Sequence, residues 1–193
     1  MATMRGAFIS LALSIVAISL LPRLSVPAQP KPPVVYTTPA KRAEAAFRLE
    51  TADSSPGEMK IDGRVSYTLT AASDDDSLRG TFTILLSGPG RQTLADASNL
   101  KLAEIPESYS RPDTIAKFAN GTSCPSIELN FPEFQIKAGK GNLVMSGKLL
   151  EIRESADRLI QQLCFWTRQI NVKRERIGII RSINRMIEGD KAG

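Results

Sequence analysis

The chain has 193 residues, of which 42% are hydrophobic and 23% charged, and these values fit one globular domain with a core. It contains no histidine, which excludes a histidine general base, a histidine-activated nucleophile and histidine metal ligands. The formal net charge of +5 is compatible with an anionic partner, but net charge argues about association and not about fold.

The first 28 residues have the pattern of an export signal. Residues 1–5 are short and positively charged, and residues 7–21 form an apolar run without a charge. Residues 26–28 then offer the small-residue pattern that signal peptidase cleaves. Because the apolar run is shorter than the roughly 20 residues of a bilayer span, we predict a cleaved signal peptide over 1–28. The protein is then exported, periplasmic or secreted; an uncleaved N-terminal anchor is the alternative.

Export bears on which partners the basic chain can meet and on the oxidation state of its cysteines. An exported protein rarely meets nucleic acid, so we do not expect nucleic-acid binding. Cys124 and Cys164 most simply form one disulfide in an oxidising compartment, and two buried free thiols are the alternative. With two thiols and no histidine, the sequence predicts no metal site and no cofactor.

Residues 29–39 contain four prolines, which predict an extended spacer, and a β-rich domain follows over residues 40–153. The start of that domain is ambiguous. Thr38 and Pro39 resemble a helix start, whereas Ala45, Phe47 and Leu49 occupy every second position, so we favour a strand.

The strongest pattern in the chain is the alternation of residues 59–71, which predicts an antiparallel strand with one wet face. Residues 81–86 resume the alternation and complete a β-hairpin. The aspartates at 74–76 lack the ligand spacing of a calcium loop and are expected at a solvated hairpin tip. Residues 87–90, Ser-Gly-Pro-Gly, are predicted to end the second strand in a turn.

The rest of the β-rich domain is less regular, and we predict six to eight strands in all. Further strands are predicted at 99–105, at 127–131, at 134–136 after a break at Pro132, and at 142–152 as the last strand. Residues 111–121 are predicted to be a loop or a single helical turn.

Residues 154–188 predict an amphipathic helix packed on the β-rich domain, followed by a tail at 189–193. An apolar stripe at helical spacing comprises Leu159, Leu163, Trp166, Ile170, Ile177, Ile180, Ile183 and Ile187. Ser155 is a plausible N-cap, and the periodicity fails between 171 and 176, so we expect one kinked helix or two helices. The predicted fold class is α+β: mainly an antiparallel β-sheet or sandwich, followed by a long C-terminal amphipathic helix.

The same segment carries six basic side chains: Arg168, Lys173, Arg174, Arg176, Arg181 and Arg185. They are candidates for binding anionic lipid, lipopolysaccharide or an acidic partner. The alternative is a solvated helix face, since the apolar stripe is better explained by packing onto the sheet. A bond between Cys124 and Cys164 would attach this helix to the loop before the 127–136 strands.

Catalytic motifs are weak. Ser98 and Lys101 match an S-x-x-K pattern without its usual companions, nothing marks Glu128 and Glu133 as a buried pair, and Asn120 begins a glycosylation sequon. We therefore expect an exported, non-catalytic protein that binds a protein partner or the cell envelope through its surface. The alternatives are a carrier holding a hydrophobic ligand between sheet and helix, and a hydrolase using carboxylates or the Ser-Lys pair. Membrane contact is expected only through an uncleaved signal or the basic helix.

Overall fold

The computed structural model describes residues 35–49, 59–124, 126–145, 147, 149–153 and 157–189. The predicted signal peptide therefore lies outside the described residues. Within them the chain forms nine strands: Tyr36–Thr37 (β1), Lys41–Leu49 (β2), Met59–Ala72 (β3), Ser77–Leu86 (β4), Ser108–Phe118 (β5), Ser126–Asn130 (β6), Phe134–Ala138 (β7), Gly141–Met145 (β8) and Leu149–Arg153 (β9). The same ranges contain three α-helices, Gly88–Ser98 (α1), Arg158–Arg168 (α2) and Lys173–Glu188 (α3), and a short 3-10 helix, Leu102–Glu104.

The strands form one antiparallel sheet in the order β7-β8-β2-β3-β4-β5-β6-β9, and β1 pairs with β3 beside β2. Two side-chain contacts show that the sheet is curled. Lys41 of β2 lies 3.1 Å from Glu151 of the edge strand β9, and Arg111 of β5 donates a 2.6 Å hydrogen bond to the backbone oxygen of Gln135 in β7. The sheet is therefore a curled half-barrel, and the α+β class is confirmed.

The long strand and its hairpin are confirmed. β3 alternates buried and more exposed residues along most of its length, and it pairs with β4 across a turn at residues 74–76. The ambiguous segment is strand β2. Two residues of the predicted spacer, Tyr36–Thr37, also pair with β3 as β1.

Aromatic rings fill the concave side of the sheet. Phe82 makes edge-to-face contacts with Phe131 and Phe134, with ring centroids 5.2 and 4.8 Å apart, and Tyr67 contacts Phe131 at 5.0 Å. The Tyr67 hydroxyl lies 2.9 Å from the carbonyl oxygens of Leu78 and Thr114, so its polar atom is satisfied inside the core.

The prediction of a strand at 99–105 is wrong. Helix α1 ends just before this range, which contains the short 3-10 helix Leu102–Glu104. Ser87 caps α1 by accepting a 3.0 Å hydrogen bond from the Gly90 backbone, and Pro89 lies in the first turn. The Ser-Gly-Pro-Gly stretch is thus a helix start as well as a strand end. Asn99 ends α1 with a φ of +52°, a conformation that asparagine tolerates.

Three further boundaries are corrected. Residues 111–121 are mostly strand, because β5 is held by pairing with β4 although residues 110–113 are all exposed and show no alternation. Residues 142–152 form two strands, β8 and β9, with Gly147 at a φ of +54° between them. The N-cap of α2 is Asp157, which accepts from the Leu159 backbone at 2.7 Å, and not Ser155.

Candidate functional site: the outer face of the C-terminal helices

The C-terminal segment is two helices rather than one, and their apolar stripe faces inward as predicted. In α2, Leu159, Leu163 and Trp166 are fully buried, and the Trp166 ring contacts Phe118 of β5 edge-to-face at 4.9 Å. In α3, Ile180 and Ile183 are buried against α2 and β3. Packing therefore accounts for most of the apolar stripe, although Ile170 and Ile177 are only half-buried. The opposite faces of the helices are available to a partner.

The predicted disulfide is confirmed. Cys124 and Cys164 are bonded, with their Cα atoms 5.3 Å apart, a separation typical of natural disulfides. Cys164 lies in α2 and Cys124 in the loop before β6. The bond therefore fixes α2 to the sheet at that loop.

Helix α3 is attached to the β3–β4 hairpin by polar contacts. The Asn184 side chain accepts a 2.7 Å hydrogen bond from the Ala72 backbone N–H and donates a 3.0 Å bond to the Ala72 oxygen, so it satisfies both backbone groups at the end of β3. Arg176 lies 2.6 Å from the Asp76 carboxylate at the hairpin tip and 2.8 Å from the Ile170 oxygen. Its side chain is only 16% exposed. Arg176 is therefore engaged in internal contacts, unlike the rest of the basic group.

The other five basic side chains of the group, Arg168, Lys173, Arg174, Arg181 and Arg185, belong to exposed residues. Three of them are aligned. Arg174, Arg181 and Arg185 are spaced by seven and four residues, which places them on one line along α3 over about 16 Å. We call these three residues the arginine row. Among the described residues, none of the three guanidinium groups forms an ion pair.

The other candidates from the sequence do not assemble into a catalytic or metal site. Ser98 is 1% exposed, and Lys101 is an exposed residue, so the two do not present a nucleophile and a base to a common cleft. Glu133 is exposed and Glu128 is half-buried on β6. Across the described ranges no group of three potential metal ligands is found, and no helix is long and apolar enough to cross a membrane.

One polar feature was not anticipated from the sequence. Arg42, Asp62 and Arg64 line a groove beside the start of α1, on the outer face of the sheet. Alternation along β2 and β3 places these residues on the wet face, but only the strand register brings them together.

Comparison of the chain with protein-family models, with curated proteins and with solved structures finds no match.

Proposed function

We propose that this protein is an exported, non-catalytic protein that binds an anionic surface of the cell envelope through the arginine row, assisted by Arg168 and Lys173. The observation that carries the proposal is the alignment of three exposed guanidinium groups on a helix whose opposite face is fixed to the fold. The export pattern of residues 1–28 supports the location, and a disulfide suits an oxidising compartment.

The rigid attachment of α3 matters for binding. Asn184 and Arg176 hold α3 against the hairpin. The helix that carries the arginine row is therefore already formed and fixed before a partner binds. Guanidinium groups can form paired hydrogen bonds with phosphate, the charged group of anionic lipids and of lipopolysaccharide. A basic side chain close to an anionic membrane contributes about 1 kcal/mol to binding. A pre-arranged row of three can therefore supply reversible, salt-sensitive binding without a lipid pocket.

Vesicle co-sedimentation tests the proposal. The full chain is mixed with phosphatidylcholine vesicles or with vesicles that also contain phosphatidylglycerol, because the difference between the two removes any contribution from the apolar segment at 7–21. We expect stronger binding to the anionic vesicles, and weaker binding as salt is raised. In R174Q/R181Q/R185Q the anionic preference should fall by about 3 kcal/mol, roughly a hundredfold.

The matched control is R79Q/K117Q/K140Q, which removes three positive charges from exposed residues outside the helices. It should keep most of the anionic preference. Equal binding of the unmodified chain to both kinds of vesicle would contradict the proposal. An equal loss in the two triple variants would show that overall charge, and not the arginine row, drives association.

The carrier and hydrolase alternatives gain no support from the described residues. Phe118 and Trp166 occupy the space between β5 and α2, and the phenylalanine cluster fills the concave side of the sheet. Ser98 is buried, and its hydroxyl does not face an open cleft.

A further inference from the structure

The groove beside the start of α1 is built from three strands and a helix turn. Arg42 of β2, Arg64 of β3 and Leu85 of β4 are direct cross-strand neighbours on the outer face of the sheet. Ser87 and Pro89 form the opposite wall of the groove, whose volume is about 530 Å³. The Ser87 N–H and hydroxyl both donate to the Asp62 backbone oxygen, at 3.2 and 3.1 Å, so the two walls are fixed relative to each other.

The charge in this groove is arranged for an anion. Arg42 and Arg64 lie directly opposite each other, and like charges in that position destabilise a sheet unless something compensates them. Among the described residues, the one carboxylate paired with either of them is Asp62, 3.3 Å from Arg42. Arg64 donates instead to the neutral Ala40 oxygen at 2.9 Å. The lining of the groove therefore contains two guanidinium groups and one carboxylate, and it keeps a net positive charge.

The groove also contains an acceptor that lacks a donor. Asp62 Oδ2 faces Arg42, whereas Oδ1 is buried and receives no hydrogen bond from the described residues. Buried carboxylate oxygens are normally satisfied by a protein group or by water. Because the Asp62 side chain as a whole is 41% exposed, its carboxylate can also accept a hydrogen bond from a ligand. A ligand that suits the groove should therefore bring a hydroxyl or amide N–H together with its negative charge.

Hydroxyl side chains continue the polar surface beyond the arginines. They form two cross-strand rows on the same face, Ser66–Thr83–Ser110 and Thr37–Thr68–Thr81. Thr83 and Ser110 are 2.9 Å apart, and Thr37 and Thr68 are 2.7 Å apart, so the hydroxyl groups form short chains that can both donate and accept. The rows lie about 7 Å apart along the strands, next to the row that contains Arg64.

We propose that this groove and the adjoining hydroxyl rows bind an acidic carbohydrate, a chain of sugars that carries carboxylates. A uronate carboxylate would accept paired hydrogen bonds from Arg64 and Arg42. A neighbouring sugar hydroxyl would donate to the exposed part of the Asp62 carboxylate, and the apolar face of a sugar ring would pack on Leu85, which is 46% exposed. The following sugars would extend over the hydroxyl rows. This site is separate from the arginine row and does not depend on the function proposed for it.

The test is calorimetric titration of the full chain with trigalacturonate and with maltotriose, a neutral trisaccharide. We expect saturable binding of trigalacturonate and markedly weaker binding of maltotriose. R64Q and, independently, R42Q should each weaken trigalacturonate binding at least about tenfold, since a charge-assisted hydrogen bond is lost. The control K140Q removes an exposed positive charge in the turn before β8, which pairs with the far end of β2, about 24 Å along that strand from Arg42. It should bind like the unmodified chain.

Circular dichroism establishes that each variant is folded. The unmodified chain gives a second test by nitrogen-15 NMR, in which trigalacturonate should shift the amide signals of Gly63, Leu85 and Leu86, which line the groove. The absence of saturable binding, equal binding of both trisaccharides, equal weakening by K140Q, or amide shifts confined to other parts of the chain would each overturn the proposal. Vesicle binding by R64Q should be unchanged, so failure here is distinguishable from failure of the arginine row.

Discussion

Glu151 shows how one side chain joins three strands. It accepts hydrogen bonds from Ser126 of β6 at 2.8 Å and from Lys41 of β2 at 3.1 Å, and Arg153 lies 3.3 Å away. These donors, with Ser126 making the largest contribution and Lys41 the next, lower the pKa of Glu151 from 4.5 to about 2. The ionised carboxylate therefore connects the edge strand β9 to β2 across the open side of the curl.

This lowered pKa predicts an acid-sensitive contribution to stability. A carboxylate with a depressed pKa in the folded state stabilises the fold above its ordinary value of 4.5, and the contribution is lost as pH falls from there to about 2. In E151Q, we expect a lower free energy of unfolding than in the unmodified chain at pH 7. The difference should shrink as pH falls through that window, as measured by urea unfolding at a series of pH values.

A companion variant separates the causes. Ser126→Ala removes the donor with the largest effect, so the pKa of Glu151 should rise towards its ordinary value. The stability that depends on the ionised carboxylate should then be smaller, and it should be fully lost at a higher pH than in the unmodified chain. Parallel pH profiles for the unmodified chain and E151Q would contradict this account of Glu151.

At the level of elements, α3 contains two kinds of arginine that the sequence does not distinguish. Arg176 contacts Asp76 and the Ile170 oxygen and is largely buried, whereas its neighbour Arg174 is exposed. R176Q should lower the free energy of unfolding by about 1–2 kcal/mol, because a charge-assisted contact between α3 and the hairpin tip is lost. R174Q should change it by no more than about 0.5 kcal/mol.

Urea unfolding of both variants provides the comparison. D76N, which changes the other partner, should resemble R176Q in its effect on stability. If R174Q and R176Q were equally stable, the Asp76–Arg176 pair would not be what holds α3 to the hairpin.

The hydrophobic pattern of the sequence predicts some of the elements and not others, and the difference has a physical reason. β3 and the inward faces of α2 and α3 were predictable, because each buries one face and exposes the other over many residues. Helix α1 was missed because Leu94 is the one large apolar side chain among its buried residues. β5 was missed because residues 110–113 are all exposed, so the pairing of this part with β4 leaves no trace in the hydrophobic pattern.

The two candidate sites also differ in how far the sequence alone could predict them. The arginine row was contained in the predicted basic group, since residues on one helix face can be counted along the chain. The sequence could not separate Arg176 from that row, because its partner Asp76 lies 100 residues away. The Arg42–Arg64 groove requires the register between β2 and β3, which a single sequence does not determine.

For the whole molecule, the disulfide closes a large loop. Cys124 and Cys164 are 40 residues apart, and the chain between them contains β6, β7, β8 and β9. In the chain-entropy description, closing a loop of that length stabilises the folded state by about 4 kcal/mol. The C124S/C164S variant should therefore lose up to about 4 kcal/mol of unfolding free energy in urea titrations.

Reductant provides the control for this prediction. It should lower the urea midpoint of the unmodified chain and leave that of C124S/C164S unchanged. An unmodified chain whose midpoint is insensitive to full reduction would contradict a stabilising role for the disulfide.

Within the loop closed by the cystine, β8 pairs with β2, which precedes the loop in the chain, and β6 pairs with β5. A protease that cut the backbone anywhere between Cys124 and Cys164 would thus produce two polypeptides that remain joined by the disulfide. Neither piece could diffuse away, and β8 would stay beside the strand it pairs with. A nick in this segment, about a fifth of the chain, would become visible as separate fragments only under reducing conditions.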